Sequence, residues 1–137
     1  MDYLLDTNAC IALNKGEPAS VRARFDKAIR SGAQVWVSAI VLHELWYDVA
    51  KSGRPKENAE DLATLLSGPV RLQAFEEQDA REAGEVRASL ERMGKPIGAY
   101  NVLIAGQALT RGLTLVTANT REFGRVKGLV WEDWGKS

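Results

Sequence analysis

The stretch Tyr3–Asn8, with the sequence YLLDTN, decides how the rest of the chain is interpreted. A short apolar run is followed at once by three polar residues, as expected where a buried strand ends in a polar loop. In an open parallel sheet, side chains that follow the strands converge on one crevice at the carboxyl edge. Asp6 is therefore the first candidate functional residue, although an Asp in this position also commonly caps the next helix.

Apolar runs of strand length recur along the chain, separated by helical patterns. The runs are Val35–Val37, Val70–Leu72, Leu115–Thr117 and a weaker one at Leu129–Trp131. The helical patterns cover Ser20–Ile29, Ala39–Ala50, Lys56–Leu66, Gln78–Arg92 and Ala99–Leu109. Strands that alternate with helices predict an α/β fold with a mainly parallel sheet covered on both faces.

Length and composition favour one ordinary domain over residues 1–137, because 137 residues with 45% hydrophobic and 26% charged side chains suffice for one core. Eighteen basic and eighteen acidic residues exclude a global basic field, so any phosphate contact needs a local patch or a metal. The single cysteine, Cys10, excludes an internal disulfide and indicates a cytoplasmic protein. No apolar run is long enough to span a membrane, so no membrane partner is expected.

Two further polar residues lie next to the apolar face of a predicted helix. Glu44 lies one turn after Ile40 and Val41, at the border of a buried stripe, where a carboxylate is costly unless paired or metal-bound. The alternative is a Glu that reaches solvent or pairs with an Arg. Asn101 begins an apolar helical face, and it is equally explained as a first-turn residue that bonds the backbone.

Several polar residues near the ends of the first and fourth strands are candidate site residues only when they are considered together. They are Asn8, Thr117, Asn119 and Glu122. Each alone is explained as a cap residue or a solvated charge. Other chemistries lack their residues: His43 is the only histidine, which disfavours zinc, and neither a phosphate-binding glycine loop nor a nucleophile elbow occurs.

Four ordered motifs together resemble the PIN-domain ribonucleases, and among them the VapC-type toxins of bacterial toxin–antitoxin pairs. The motifs are LLDTN at 4–8, VLHEL at 41–45, PIGAYNVLIA at 96–105 and TANTREF at 117–123. The resemblance extends from Met1 to the tail at 132–134. It covers the whole chain, and four motifs in order make it specific.

The resemblance implies a three-layer α/β/α sandwich, a divalent cation, Mg²⁺ or Mn²⁺, held by acidic residues, RNA cleavage, a cognate antitoxin and a homodimer. Asp6 matches the first-strand aspartate and Glu44 the helix glutamate, so these two and position 101 are the implied metal ligands. Glu122, as the better carboxylate, and Asn119 match the last polar member. Thr117 and Asn8 are supporting candidates. The implied substrate is a structured RNA such as a transfer RNA, with the initiator transfer RNA favoured.

The chain departs from the family at Asn101, where an aspartate is usual. An amide keeps the size of the side chain but removes a negative charge and a strong acceptor, so metal affinity and activity should fall. Whether Asn101 is natural or engineered stays open. The alternative function is a non-catalytic PIN-fold protein that regulates or binds a partner, and a receiver-like domain ranks lower because the first loop lacks an acidic pair.

Basic and aromatic residues suggest two contact surfaces. An acidic crevice needs neighbouring cations to attract RNA, and Arg121 and Arg125 are nearest the motif, with Arg22, Arg24 and Lys127 as further candidates. The alternative is a set of solvated charges balanced by nearby acids. Trp46 and Tyr47 are suited to a dimer interface.

Overall fold

A five-stranded parallel sheet forms the centre of the computed structural model, which describes residues 1–136. The strands are β1 (Tyr3–Leu5), β2 (Val35–Ser38), β3 (Arg71–Gln73), β4 (Thr114–Val116) and β5 (Trp131–Glu132). Their order across the sheet is β3-β2-β1-β4-β5, and every pair is parallel. In the register of the sheet, Leu4 of β1 lies between Trp36 of β2 and Leu115 of β4.

Helices connect the strands. They are α1 (Thr7–Lys15), α2 (Ala19–Arg30), α3 (Ala39–Lys51), α4 (Pro55–Leu66), α5 (Glu77–Arg92), α6 (Ala99–Arg111) and α7 (Thr120–Phe123). Right-handed crossovers in this strand order place α1 to α4 on one face of the sheet and α5 to α7 on the other. The predicted α/β class, with a parallel sheet between two helical layers, is confirmed.

The strand order creates a switch point between β1 and β4. The connection after β1 leads toward β2, whereas the connection after β4 leads the other way, toward β5. The loops after these neighbouring strands therefore diverge and leave a crevice at the carboxyl edge, where open α/β sheets bind ligands. Asp6 follows β1 and Thr117 follows β4, so the crevice lies between them.

The core is built from the central strands and the apolar sides of the helices. Leu4, Val35, Val37 and Leu115 are fully buried, and the same core cluster continues to Trp134 near the end of the chain. Strands buried on both faces explain why their sequences are continuous apolar runs. A single domain over residues 1–137 stays a prediction, and Ser137 lies outside the described residues.

The observed element bounds differ from the predicted ones mainly at the ends. The strands β3, β4 and β5 begin at Arg71, Thr114 and Trp131 rather than at Val70, Leu115 and Leu129. The helix α1 was not among the predicted helices, because Asp6 both follows the strand and caps the helix, so no loop separates the two patterns. None of the helices within residues 1–136 is long and apolar enough to cross a membrane.

Candidate functional site

Asp6 lies at the centre of the crevice and is almost fully buried, with 5% of its surface exposed. It caps α1, since its Oδ1 accepts a hydrogen bond of 2.8 Å from the Ala9 N–H. Burial raises the pKa of the Asp6 carboxyl, and the charges of Glu44 and Asp133 raise it further, against the Thr117 hydroxyl and the Ala9 N–H. Asp6 therefore caps α1, as the alternative interpretation of this residue predicted. It is also a buried acid close to other acids.

Glu44 enters the same crevice from α3. Its Oε1 accepts a hydrogen bond of 2.9 Å from the hydroxyl of Thr7, the residue after Asp6. The side chain is half-buried, and it makes no ion pair with an Arg within residues 1–136. The structure therefore brings the two expected carboxylates together at one end of the sheet, as the effect of Glu44 on the pKa of Asp6 also indicates.

Glu122 is the centre of a second group rather than a solvated charge. Its Oε1 accepts hydrogen bonds from the Gly98 N–H at 2.6 Å and the Asn101 Nδ2 at 3.3 Å. Its Oε2 accepts one from the Asn119 Nδ2 at 3.3 Å. The Gly98 bond is the main cause of a lowered Glu122 pKa, assisted by both amides and the charge of Arg125. Glu122 is therefore held ionised beside position 101.

Thr117 links the two groups. It is fully buried, its Oγ1 accepts a hydrogen bond of 2.9 Å from the Asn119 N–H, and its hydroxyl stabilises the charged form of Asp6. Asn119 in turn caps α7 with its side-chain oxygen. The network thus runs from Asp6 through Thr117 and Asn119 to Glu122, while Asn8 is exposed in the first turn of α1.

Asn101 occupies the first turn of α6, half-buried, and donates its amide hydrogen toward Glu122. An aspartate in this place would have no hydrogen to donate and would repel the Glu122 carboxylate. Within residues 1–136 no three side chains of His, Cys, Asp or Glu are placed to hold a metal ion.

Asp133 is a member of the crevice that the sequence analysis did not single out. It follows β5, and its charge contributes to the raised pKa of Asp6. The available signal was its place directly after the weak fifth strand, at the same carboxyl edge as the other candidates.

Four of the five basic candidates divide into two groups, and the fifth, Lys127, is exposed. Arg24 pairs with Glu132 at 3.2 Å and Arg22 lies 4.0 Å from Asp26, so these cations have acidic partners. Arg121 and Arg125 line a shallow depression with Gly98 and Glu122, and Arg125 donates to the Pro96 carbonyl at 2.9 Å. Arg121 and Arg125 therefore form a basic rim on the α7 side of the crevice.

Comparisons with known proteins agree with this geometry. Residues 3–129 match the family described as PIN domain. The chain is 41% identical to the tRNA(fMet)-specific endonuclease VapC of Shigella flexneri over 98% of both chains. It is 37% identical to Ribonuclease VapC2 of Rickettsia felis over 99% of this chain and all of that one.

Solved structures that superimpose on this chain include two named VapBC. A structure of VapBC2 from Rickettsia felis bound to a promoter DNA fragment superimposes with a TM-score of 0.92, at 34% identity, over 98% of this chain and 99% of that one. DNA-bound VapBC from Salmonella typhimurium gives 0.89 at 38% identity over 98% of both chains.

Proposed function

This chain belongs to the PIN-domain family of VapC-type ribonucleases, and we propose that it is the toxin of a toxin–antitoxin pair that cleaves RNA. The observation that carries the proposal is the convergence of Asp6, Glu44, Asn101 and Glu122 at the switch point of the sheet. These residues come from four different elements, so their meeting is a property of the fold rather than of local sequence.

The donor set of the crevice fits a hard divalent cation, Mg²⁺ or Mn²⁺, because every candidate ligand offers oxygen. Asp6, Glu44 and Asn101 would hold it. The raised pKa of Asp6 supports this: burial is its main cause and the charges of Glu44 and Asp133 add to it, so a cation bound here would stabilise the ionised Asp6 carboxylate. When bound, such a cation lowers the pKa of a water and neutralises charge on the phosphate oxygens.

The remaining residues fix the ligands in place. The Thr7 hydroxyl orients Glu44, and the Ala9 N–H orients Asp6. Glu122 holds the start of α6 through Gly98 and keeps the Asn101 amide turned toward itself. Ligands held by hydrogen bonds before substrate arrives need less reorganisation during phosphodiester cleavage.

Asn101 weakens this activity in the chain as it stands. Its carbonyl oxygen can approach a cation, but without a full charge and with its nitrogen engaged by Glu122. We therefore infer slow cleavage by a normally folded protein.

The relatives and the solved structures support a substrate and a partner for the proposed toxin. A relative named a tRNA(fMet)-specific endonuclease favours the initiator transfer RNA as substrate. Superimposable structures named VapBC favour a cognate antitoxin as partner. We further propose a homodimer that acts in the cytoplasm.

The test is to restore the carboxylate with Asn101→Asp and measure single-turnover cleavage of initiator transfer RNA at fixed Mg²⁺. We expect a gain of at least about 10²-fold, the effect of one well-placed electrostatic group in an active site. Without metal, Asn101→Asp should melt at a lower temperature than the parent, because two carboxylates then face each other. Asn58→Asp on α4 makes the same chemical change outside the network and serves as the control.

Two outcomes would contradict the proposal. Equal cleavage by the parent and Asn101→Asp would place position 101 outside the reacting centre. Absence of cleavage by both, with any transfer RNA and with Mg²⁺ or Mn²⁺, would favour the non-catalytic partner-binding alternative.

A further inference from the structure

Two aromatic rings stand at the rim of the crevice and take no part in the network described above. His43 on α3 and Tyr100 on α6 contact each other edge to face, with ring centroids 5.8 Å apart and planes at 62°. Each is the chain neighbour of a site residue, Glu44 and Asn101 respectively. The pair therefore bridges the two helices that deliver the polar side chains to the crevice.

The packing of the core does not require this pair. Both residues are exposed, and Tyr100 keeps 47% of its surface in contact with solvent. An edge-to-face arrangement leaves at least one face of each ring uncovered by the other ring. A free aromatic face beside a site for phosphodiester chemistry is a surface on which a base can stack.

The charges around the pair favour a nucleic acid. Tyr100 lies two residues after Gly98, whose N–H is bonded to Glu122, and Gly98 and Glu122 line a shallow depression together with Arg121 and Arg125. A strand with one base on Tyr100 thus finds cations for its phosphates nearby.

We propose that His43 and Tyr100 form a stacking platform for one unpaired base of the RNA next to the scissile phosphate. The inference rests on the proposed function and deepens it, because it assigns a specificity-determining surface to the same site. It also predicts a preference for single-stranded loops or ends, where a base is free to leave its neighbours.

The binding experiment uses the full chain, whose Asn101 is expected to make cleavage slow. The probe is a set of single-stranded RNAs of about 12 nucleotides, within the usual site size of such binders, each with the fluorescent base 2-aminopurine at a different position. We expect quenching at one position with the parent and with Tyr100→Phe. Tyr100→Ala should lose that quenching and bind about 5- to 150-fold more weakly, the range for loss of one base–aromatic stack.

Two controls separate stacking from a structural role. Trp131→Ala removes another exposed aromatic ring, on the edge strand β5, and should leave binding unchanged. An RNA that is abasic at the quenched position should bind the parent and Tyr100→Ala equally, because the two deletions remove the same contact. A loss of affinity with Tyr100→Ala that persists on the abasic RNA would overturn the platform.

Measuring cleavage in the Asn101→Asp background distinguishes a failure of the stacking platform from a failure of the proposed function. If Asn101→Asp cleaves RNA and adding Tyr100→Ala changes neither affinity nor quenching, the platform is wrong while the function stands. If quenching depends on Tyr100 but nothing is cleaved, the platform stands and the function is wrong. If Tyr100→Ala alters only the oligomeric state, the pair belongs to a protein interface and the platform is wrong.

Discussion

Asp6 combines two roles with opposite electrostatic requirements. As the cap of α1 it offers a carboxylate to the Ala9 N–H, which favours the charged form. As a buried side chain near Glu44 and Asp133 it is driven toward the neutral form, and the net effect is a raised pKa. Ionisation of Asp6 is therefore unfavourable in the folded protein, and binding of a cation would relieve this cost.

Asp6→Asn should stabilise the metal-free protein at neutral pH, because asparagine keeps the cap and removes the charge. A raised folded-state pKa contributes stability that is complete below the unfolded pKa and is lost as the pH rises through the folded pKa. The advantage of Asp6→Asn should thus be absent in acid, grow as the pH rises from the unfolded pKa to the folded pKa, and stay constant above it, at about 1.4 kcal/mol for each tenfold change in proton affinity.

Melting temperatures from pH 3 to pH 8, measured with a chelator, test this prediction, and Asp26→Asn on α2 is a control outside the crevice. Mg²⁺ should raise the melting temperature of the parent more than that of Asp6→Asn. A variant less stable than the parent at every pH would mean that hydrogen bonding to Asp6 outweighs the repulsion.

The sequence identified individual acidic residues better than it identified the residues that contact them. Asp6 and Glu44 stand at recognisable positions, one after a strand and one at the edge of an apolar stripe. Glu122 alone resembles a surface charge, and its role depends on the Gly98 N–H, which another element supplies. Such contacts between distant segments leave no local pattern, so only the resemblance to a family could suggest them.

Among the elements, long amphipathic helices are predictable and short ones are not. The helices α3 to α6 repeat an apolar face over several turns, and the sequence located them within a few residues. The nine-residue α1 begins directly after a strand, and its buried residues Ala9, Cys10 and Leu13 give little contrast. The close packing of α5 on α6 also escapes sequence analysis, although it fixes the helix that carries Asn101.

Gly106→Ala tests this packing. A Cβ at Gly106 would lie 2.6 Å from the Ala83 backbone, so the helices must separate, at about 1–3 kcal/mol of unfolding free energy. Gly84→Ala is the matched control: nothing lies within 4 Å of its Cβ, and the better helix propensity should add up to about 1 kcal/mol. Denaturant unfolding measures both, and equal effects of the two variants would show that α5 and α6 adjust without strain.

At the scale of the whole molecule, zero net charge conceals an uneven distribution. The strand order brings acids from the ends of β1 and β5 and from α3 to one edge, and it leaves Arg121 and Arg125 on the α7 side of that edge. Composition predicts only that no global basic field exists. The sequence does not predict where the charges lie, because many strand orders fit the same five apolar runs. The electrostatic approach of RNA must then depend on position rather than on total charge.

The double variant Arg121→Gln with Arg125→Gln tests this dependence on position. Each phosphate contact with a single strand contributes about 0.7 to the slope of log affinity against log salt, so losing two contacts should reduce the slope by about 1.4. Arg81→Gln with Arg87→Gln changes the net charge equally, but these residues lie on α5 and pair with Glu77 and Glu91. Single-stranded RNA binding at several salt concentrations should thus be weakened by the first pair only. Equal slopes for both double variants would show that RNA responds to total charge, and the basic rim would then have no part in binding.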